Sequence, residues 1–311
     1  MRFFPLLRLL PLLLGLAACA APSDGFDYAT CGVRPRAVLA VRMQAGVPIV
    51  EGTIKGKTVH LVLDTGAESV VLTEAAVQRL GLRLDPHVVV ANRGIGGGST
   101  VMAGELRDFR IGGLAIPDHE VSVLPSAGSA IAASGLVDGL FGMTVISVFE
   151  VELDLGHGRV TFYAGRLCPS VAVPAWREPY AVVDAASSVR KRFIIPVVLN
   201  GQTMHALLDT GAAITLVSRA AAARAGVTPA MLARDPRTKL MGTGPQAPVA
   251  YAHRFQSISL GGETYANPMM LIGDQPDPGI DMIVGSDYLA HHVVWLSYAR
   301  KRVFIAPEAE P

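Results

Sequence analysis

Short apolar segments that alternate with polar positions and glycine-rich turns occupy most of the chain from residue 48 onwards. In the first half this pattern predicts strands over 48–54, 58–63, 70–72, 88–90, 101–109 and 120–124. In the second half it predicts strands over 193–199 and 203–208, followed by further strands. Turns at 55–57 and 93–99 separate neighbouring strands, as glycine clusters do in β proteins. The pattern indicates a mostly β fold.

Two short helices interrupt the strand pattern. Thr73 can cap a helix that extends to Leu80 and stops at Gly81, because residues 74–78 favour helix. A second helix is predicted over 218–225, with a stop at Gly226. The fold class is therefore all-β with short helices.

The two halves of the chain repeat each other. Residues 49–82 align without a gap with 194–227, and residues 137–160 align with 280–303. The matched pairs include Gly56 with Gly201, Thr58 with Thr203, His60 with His205, Arg79 with Arg224, Gly81 with Gly226, and Asp138 with Asp281. A proline-containing linker over 169–191 joins the halves. The repeat predicts two pseudo-symmetric lobes in one chain.

An Asp-Thr-Gly-Ala motif stands at the same place in both repeats, at 64–67 and 209–212. One copy alone would indicate an Asx-turn after a strand. Two copies in matching frames can bring Asp64 and Asp209 together as a carboxylate pair. Two like charges about 3 Å apart do not both ionise readily, so such a pair shares one proton and offers a base and an acid together. Amide hydrolysis needs that combination.

The charge pattern and the spacing of possible metal ligands argue against a nucleic acid partner and a bound metal ion. The formal net charge is +1, with basic and acidic residues interspersed, so no basic stripe indicates a nucleic acid partner. His60 and His205 are more consistent with duplication of a polar strand face than with metal binding, since further ligands at metal spacing are missing. The acidic residues of 274–281 only weakly resemble a calcium loop. We expect no metal and no cofactor.

The N-terminal segment, residues 1–18, is predicted to be an export signal. Arg2 precedes an apolar run over 9–16 that is too short for a permanent transmembrane helix, which needs about 20 apolar residues. The run ends in Leu-Ala-Ala-Cys19, which resembles the bacterial lipobox and implies a lipid-anchored protein of the cell envelope that faces the periplasm. Ala20 favours the outer membrane by the same resemblance. The alternative is a plain secretory signal beside a chance cysteine, and residues 19–44 form a tether in either case.

Two further cysteines, Cys31 and Cys168, flank the first repeat. In an oxidising compartment they can form a disulfide that ties the ends of this half together. Such a bond would stabilise the fold by roughly 4 to 5 kcal/mol on chain-entropy reasoning. Two unpaired buried thiols are the alternative.

Each half resembles a retropepsin-like aspartic protease domain. The resemblance covers residues 45–306 and rests on the Asp-Thr-Gly-Ala loops, the Gly94-Ile95-Gly96-Gly97 stretch and the apolar closures that end at Gly142 and Gly285. It implies a bilobal pepsin- or retropepsin-like fold, with lobes over 45–168 and 192–307. It also implies that the second lobe supplies the partner aspartate within one monomeric chain.

The resemblance assigns roles to the residues that follow each aspartate. Thr65 and Thr210 would send their hydroxyls across the pseudo-two-fold axis to the opposite loop. Gly66 and Gly211 would let the backbone approach the carboxyl pair and a bound peptide closely.

Ala67 and Ala212 are small enough to lie beside the carboxyls. Pepsin-type relatives often have Ser or Thr there, whose hydroxyl can bond an ionised carboxylate and lower its pKa. We therefore expect this pair to work at a less acidic pH than a pepsin-like one. A pH–rate profile with full activity only well below pH 4, near the reference Asp pKa of about 3.9, would contradict this.

The resemblance also implies a flap that binds substrate, formed by Gly94, Ile95, Gly96 and Gly97. A plain surface hairpin is the alternative, and position within the repeat favours the flap. Residues 241–244 occupy the corresponding place in the second half, so one or both tips can close over substrate.

The predicted function is that of an aspartic endopeptidase that hydrolyses extended polypeptides through water activated by Asp64 and Asp209. The first alternative is a catalytically inactive, peptide-binding envelope lipoprotein with the same fold. Two intact motifs argue against it, because a binding protein does not need two buried carboxylates whose proximity is costly. An actin-type ATPase would need long alternating helices, which the pattern lacks.

Overall fold

A computed structural model of the chain describes residues 35–124, 135–164, 174, 176, 179–187, 191–275 and 277–307. The predicted signal segment and the three cysteines, Cys19, Cys31 and Cys168, lie outside the described residues. Lipidation and the disulfide therefore stay predictions.

The fold is mostly β with short helices and consists of two β-rich lobes, which confirms the predicted class. The strands of the first half, which we call the N lobe, are β1 (Pro35–Ala40), β2 (Arg42–Gln44), β3 (Val47–Ile54), β4 (Lys57–Leu63), β5 (Val71–Thr73), β6 (Leu84–Gly94), β7 (Gly97–Leu106), β8 (Phe109–Ile111), β9 (Leu114–Ile116), β10 (His119–Leu124), β11 (Gly139–Phe141), β12 (Phe149–Asp154) and β13 (Arg159–Ala164). The strands of the second half, the C lobe, are β14 (Ala181–Asp184), β15 (Ala186–Ser187), β16 (Phe193–Leu199), β17 (Gln202–Leu208), β18 (Leu216–Ser218), β19 (Arg237–Lys239), β20 (Val249–Arg254), β21 (Ser257–Leu260), β22 (Glu263–Ala266), β23 (Met269–Gly273), β24 (Met282–Val284), β25 (His292–Ser297) and β26 (Arg302–Pro307).

The two lobes have the same sheet order. The N lobe sheet runs β6-β7-β10-β5-β11-β4-β3-β8-β9, with β2 beside β3. The C lobe sheet runs β19-β20-β23-β18-β24-β17-β16-β21-β22, with β15 beside β16. In each lobe a short closing strand, β11 or β24, lies parallel to the strand that ends in the aspartate motif. The sequence repeat is therefore a repeat of topology.

A third sheet joins the lobes, in the order β1-β13-β12-β25-β26-β14. Its centre is the antiparallel pair of β12 and β25, where Leu153 faces Val294 across the lobe boundary. Both residues are buried in one apolar cluster that contains side chains from both lobes. Burial of this shared surface, at about 25 cal/mol per Å² of apolar area, holds the lobes in one body.

The helices are short and capped as their sequences require. They are α1 (Glu74–Leu80), α2 (Met143–Ile146), α3 (Arg219–Arg224), α4 (Pro229–Leu232) and α5 (Ser286–Leu289). The Thr73 hydroxyl accepts a hydrogen bond from the Ala76 N–H at 3.2 Å, and α1 ends at Gly81 in the left-handed conformation. Ser218 caps α3 through the Ala221 N–H at 3.1 Å. No helix among the described residues is long and apolar enough to span a bilayer.

The structure places strands inside three segments that were predicted as tether, linker and turn. The tether predicted over 19–44 is folded at its end, because residues 35–40 form β1 on β13 and residues 42–44 pair with β3. The predicted linker contains β14, which pairs with β26. The turn predicted over 93–99 shrinks to two residues, Ile95 and Gly96, because β6 and β7 extend to Gly94 and from Gly97. For β1 and β14, backbone pairing with a distant strand outweighs a local sequence rich in proline, glycine or arginine. For β2 and for the β6–β7 hairpin, pairing with the next strand along the chain does so.

Candidate active site

Asp64 lies directly after β4, at the point where β4 and the closing strand β11 separate. Its N–H donates to the Phe141 carbonyl at 3.0 Å, which fixes the start of the loop. Its Oδ1 accepts hydrogen bonds from the N–H groups of Gly66 at 2.9 Å and Ala67 at 2.8 Å. The motif therefore folds as the Asx-type turn that its residues favour, and this turn orients the carboxyl.

Asp209 occupies the same position in the C lobe. Its N–H donates to the Val284 carbonyl at 3.0 Å, and its Oδ1 accepts from the Gly211 N–H at 2.9 Å. The carbonyl of Ala212 accepts from the Ser286 N–H at 2.7 Å, and the Met143 N–H donates to Ala67 in the same way at 3.0 Å. Both aspartates are thus presented by equivalent backbone frames.

The two threonine hydroxyls cross between the lobes, as the resemblance implied. The Thr65 hydroxyl donates to the Leu208 carbonyl at 2.9 Å and accepts from the Thr210 N–H at 3.0 Å. The Thr210 hydroxyl donates to the Leu63 carbonyl at 2.5 Å and accepts from the Thr65 N–H at 3.1 Å. Both threonines are buried, so these four bonds lock the two loops together away from water.

The glycines bring the carboxyls face to face. A methyl group added at Gly66 would overlap the carboxyl of Asp209, and one added at Gly211 would overlap that of Asp64. Only glycine leaves room for each loop to pack on the opposite aspartate. The two carboxyls are close enough to hydrogen-bond to each other.

Burial and proximity raise the pKa of both carboxyls. Burial is the main cause for Asp64, whose pKa lies well above its usual range, and the charge of Asp209 adds to the rise against the hydrogen bonds from Ala67 and Gly66. Burial also raises the pKa of Asp209, while the Gly211 N–H and other donors oppose the rise. The pair therefore holds one proton over a wide pH range and titrates as a unit.

A second duplicated cluster supports the site from behind. Asp138 accepts from the His60 N–H at 2.9 Å and from Arg79 at 2.7 Å. Asp281 accepts from the His205 N–H at 2.9 Å and forms an ion pair with Arg224 at 2.6 Å. These bonds tie the strand before each aspartate to the helix after it, which accounts for the matching Arg and Asp residues of the repeat; the histidines contribute their backbone N–H groups. The side chains of His60 and His205 are 45% and 64% exposed.

The acidic residues of 274–281 do not converge. Asp274 pairs with Arg219, Asp277 with Arg192 and Asp281 with Arg224. Across the described ranges, no group of three or more His, Cys, Asp or Glu side chains is arranged to hold a metal ion.

The predicted flap residues form the tip of the β6–β7 hairpin and contact the other lobe. The carbonyls of Ile95 and Gly96 accept from the N–H groups of Gly244 at 2.9 Å and Gln246 at 3.0 Å. A methyl at Gly94 would overlap the Thr243 hydroxyl, while Gly97 pairs with Gly94 as the first residue of β7. The second tip is a loop between β19 and β20 and not a long hairpin. The two tips meet as one unit in this structure.

Two residues around the aspartate loops, Arg192 and Ser286, are absent from the sequence predictions. Arg192, just before β16, donates to Asp277 at 2.7 Å and lies 3.4 Å from the Gly66 carbonyl. Ser286 donates its hydroxyl to the Thr210 carbonyl at 2.9 Å. Both residues could have been found because they differ between the repeats. The gapless alignment begins at residue 194, two positions after Arg192, and the first repeat has Met143 opposite Ser286.

The comparisons with known proteins agree with this geometry. The sequence profile of the aspartyl protease family matches the chain twice, over residues 50–145 and 195–288, so that each match contains one aspartate motif and one closing strand. A search of curated proteins finds no match. The two matched segments cover more than half of the chain, one in each lobe, and the chain therefore belongs to the aspartyl protease family.

Proposed function

We propose that this protein is a single-chain aspartic endopeptidase with one active site shared by two retropepsin-like lobes. The observation that carries the proposal is the pair formed by the carboxyls of Asp64, which is buried, and Asp209, which is partly buried. Matching loops present them, and the crossed hydroxyls of Thr65 and Thr210 lock these loops together. A carboxyl pair that holds one proton can remove a proton from water and donate another to the peptide. Family membership supports peptide hydrolysis as the reaction.

The substrate would be an extended polypeptide. Extended chains bind by main-chain hydrogen bonds to strand edges and loop amides, with side chains in alternate pockets. The tip of the β6–β7 hairpin and the facing loop over 242–246 offer such backbone groups once their mutual bonds open. Access therefore requires the two tips to separate, and product release requires it again.

The location of the protein is also a proposal. The motif that ends in Cys19 supports a lipid-anchored protein of a bacterial envelope that faces the periplasm, and a monomer is supported because both aspartates come from one chain. Cleavage of extracytoplasmic protein or peptide substrates would follow. Radiolabelled lipid incorporation in cells, lost in Cys19→Ala, tests the anchor.

Cleavage of a diverse peptide library by the purified full chain tests the reaction. We expect internal cleavage with a consistent side-chain preference, and no cleavage by Asp209→Asn, which keeps the shape of the carboxyl and removes its charge. Cleavage that persists in the variant would contradict the proposal. Peptide capture without cleavage by the unmodified chain would support the catalytically inactive, peptide-binding alternative.

A further inference from the structure

Arg192 is a buried cation at the boundary between the lobes. Its side chain is 8% exposed, and it stands just before β16 of the C lobe. Its guanidinium donates to Asp277 at 2.7 Å and reaches across the boundary to the Gly66 carbonyl of the N lobe at 3.4 Å. A buried charge of this kind is costly unless it stabilises an opposite charge.

Gly66 connects this cation to the carboxyl pair. The Gly66 N–H donates to Asp64, and its Cα lies so close to the Asp209 carboxyl that a methyl group there would overlap it. Arg192 thus approaches the pair through the residue that packs on Asp209. Burial raises the pKa of Asp209; the Gly211 N–H opposes that rise most strongly, and the positive charge of Arg192 opposes it to a smaller degree.

The first lobe has no equivalent cation at this place. The repeat offset of 145 residues puts Val47 opposite Arg192 (192 − 145 = 47), so the two aspartates, alike in their backbone frames, differ in this charge. For Asp64, burial and the neighbouring charge of Asp209 both raise the pKa.

The other charged groups around the pair do not cancel the effect of Arg192 on Asp209. Asp277 neutralises part of the charge of Arg192, yet its side chain is 21% exposed against 8% for Arg192, so water screens the carboxylate more. Glu68 is exposed on the Asp64 loop, and Asp287 is bound to the N–H and hydroxyl of Thr215. The buried cation therefore adds an asymmetry between the two carboxyls, beside the larger effects of burial and of the backbone hydrogen bonds.

We propose that Arg192 makes the two aspartates chemically unequal, by stabilising the carboxylate of Asp209 so that Asp209 is the base and Asp64 carries the shared proton. This inference rests on the proposed hydrolytic function and assigns the roles within that site. Arg192 is a positioning residue, because it acts through Gly66 and Asp209 and not on the substrate.

The assignment gives a balanced reaction. Water forms a bond to the peptide carbonyl carbon, one water proton moves to Asp209, and the proton of Asp64 moves to the carbonyl oxygen. In the second step one hydroxyl of the tetrahedral intermediate returns its proton to Asp64, Asp209 gives its proton to the amide nitrogen, and the C–N bond breaks. Asp64 is protonated and Asp209 ionised at the end, as at the start.

The pH dependence of kcat/KM tests the proposal with two substitutions of opposite sign. Arg192→Met removes the cation and should move the acidic limb of the profile up by about one pH unit, the low end of the effect of a nearby opposite charge. Asp277→Asn leaves the cation uncompensated and should move the limb down. Arg192→Lys keeps the charge and should leave the limb close to its original position.

A merely structural role predicts something different. It would lower kcat or the melting temperature in Arg192→Met and Asp277→Asn while the acidic limb stays in place, and that result overturns the proposal. A limb that moves in the same direction in both variants also overturns it. Should Arg192→Met fail to fold, the direction of the shift in Asp277→Asn still decides.

A measurement without catalysis separates this inference from the proposed function. In carbon-13 NMR of the carboxyl-labelled full chain, with signals assigned through Asp64→Asn and Asp209→Asn, we expect the Asp209 signal to titrate at lower pH than that of Asp64. In the single variant Arg192→Met, which keeps Asp277, this order of the two titrations should be lost or reversed. An unchanged order there contradicts the inference even if peptides are cleaved, while the expected order without cleavage refutes only the hydrolytic function.

Discussion

The N lobe and the C lobe present their aspartates through the same backbone frame and support those frames differently. In both lobes the N–H of the motif aspartate donates to the closing strand, and the threonine hydroxyl donates across to the other lobe. In both, a partly buried second aspartate, Asp138 or Asp281, ties a strand to a helix. In the C lobe, further side chains brace the loop. The shared parts are those that the carboxyl pair requires from each side.

The additional bracing is specific to the C lobe. The Ser286 hydroxyl donates to the Thr210 carbonyl at 2.9 Å, and Thr215 donates to Asp287 through its N–H at 2.9 Å and its hydroxyl at 2.8 Å. The N lobe has Met143, Val70 and Thr144 at the matching positions, and the Thr144 N–H bonds the Glu68 carbonyl instead.

The tips differ as well, since the N lobe has a long hairpin and the C lobe a loop. A duplicated fold in one chain can thus keep the symmetric frame for chemistry and let one lobe become the more rigid support. The other lobe can then provide the longer moving element.

Loss of a crossed hydroxyl should have the largest effect, and a similar one in both lobes. Thr65→Val and Thr210→Val each keep the shape and leave a buried carbonyl and a buried N–H of the opposite lobe unpaired. Each variant should lower the free energy of unfolding by roughly 2 to 6 kcal/mol, from about 1 to 3 kcal/mol for each of the two unpaired groups. Chemical denaturation of both variants measures this.

Serine at the same positions is the matched control. Thr65→Ser and Thr210→Ser keep the hydroxyl and should lose less stability than the valine variants. Equal losses for serine and valine would show that the methyl group and not the crossed bond matters. A large loss of stability for the variant of one threonine alone would contradict the claim that the crossed hydroxyls are equivalent in the two lobes.

Removal of a C lobe brace should have a smaller effect. Thr215→Val gives the C lobe the residue type that the N lobe has at Val70, and removes the hydroxyl that donates to Asp287 and accepts from the Gly285 N–H at 3.2 Å. We expect a loss of about 1 kcal/mol in the free energy of unfolding. The reciprocal Val70→Thr, which has no facing Asp, should not stabilise the N lobe, and a gain there would contradict the comparison.

Opening of the paired tips should show the smallest effect. A methyl at Gly244 would overlap the backbone at Gly96 and Gly97, so Gly244→Ala should break the bonds between the tips. Loss of about 1 kcal/mol corresponds to roughly fivefold faster amide hydrogen exchange at Gly244 and Gln246. Gly98→Ala is the control, since its methyl comes no closer than 3.2 Å to the Asn92 carbonyl. Unchanged exchange in Gly244→Ala would mean that the tips do not form one unit.

The sequence predicted the parts of the fold that repeat. Local alternation and capping placed β16 and α1 almost to the residue, and the duplicated motif identified Asp64 and Asp209 as partners. The sheet that joins the lobes was not predicted, because pairing between β12 and β25 leaves no periodic trace in either segment. Arg192 was missed because a single arginine beside a linker is normally expected at the surface. Its one distinguishing feature in the sequence is that the first repeat has no arginine at the corresponding position.

A double-mutant cycle on the two aspartates tests the central claim of one active site built by both lobes. The measured quantity is kcat/KM for peptide cleavage by the unmodified chain, Asp64→Asn, Asp209→Asn and the double variant. Because both carboxyls act as a unit, each single substitution should reduce kcat/KM by on the order of a thousandfold or more, and the double variant should be no worse. Activity retained in either single variant, or losses that multiply in the double variant, would contradict the claim.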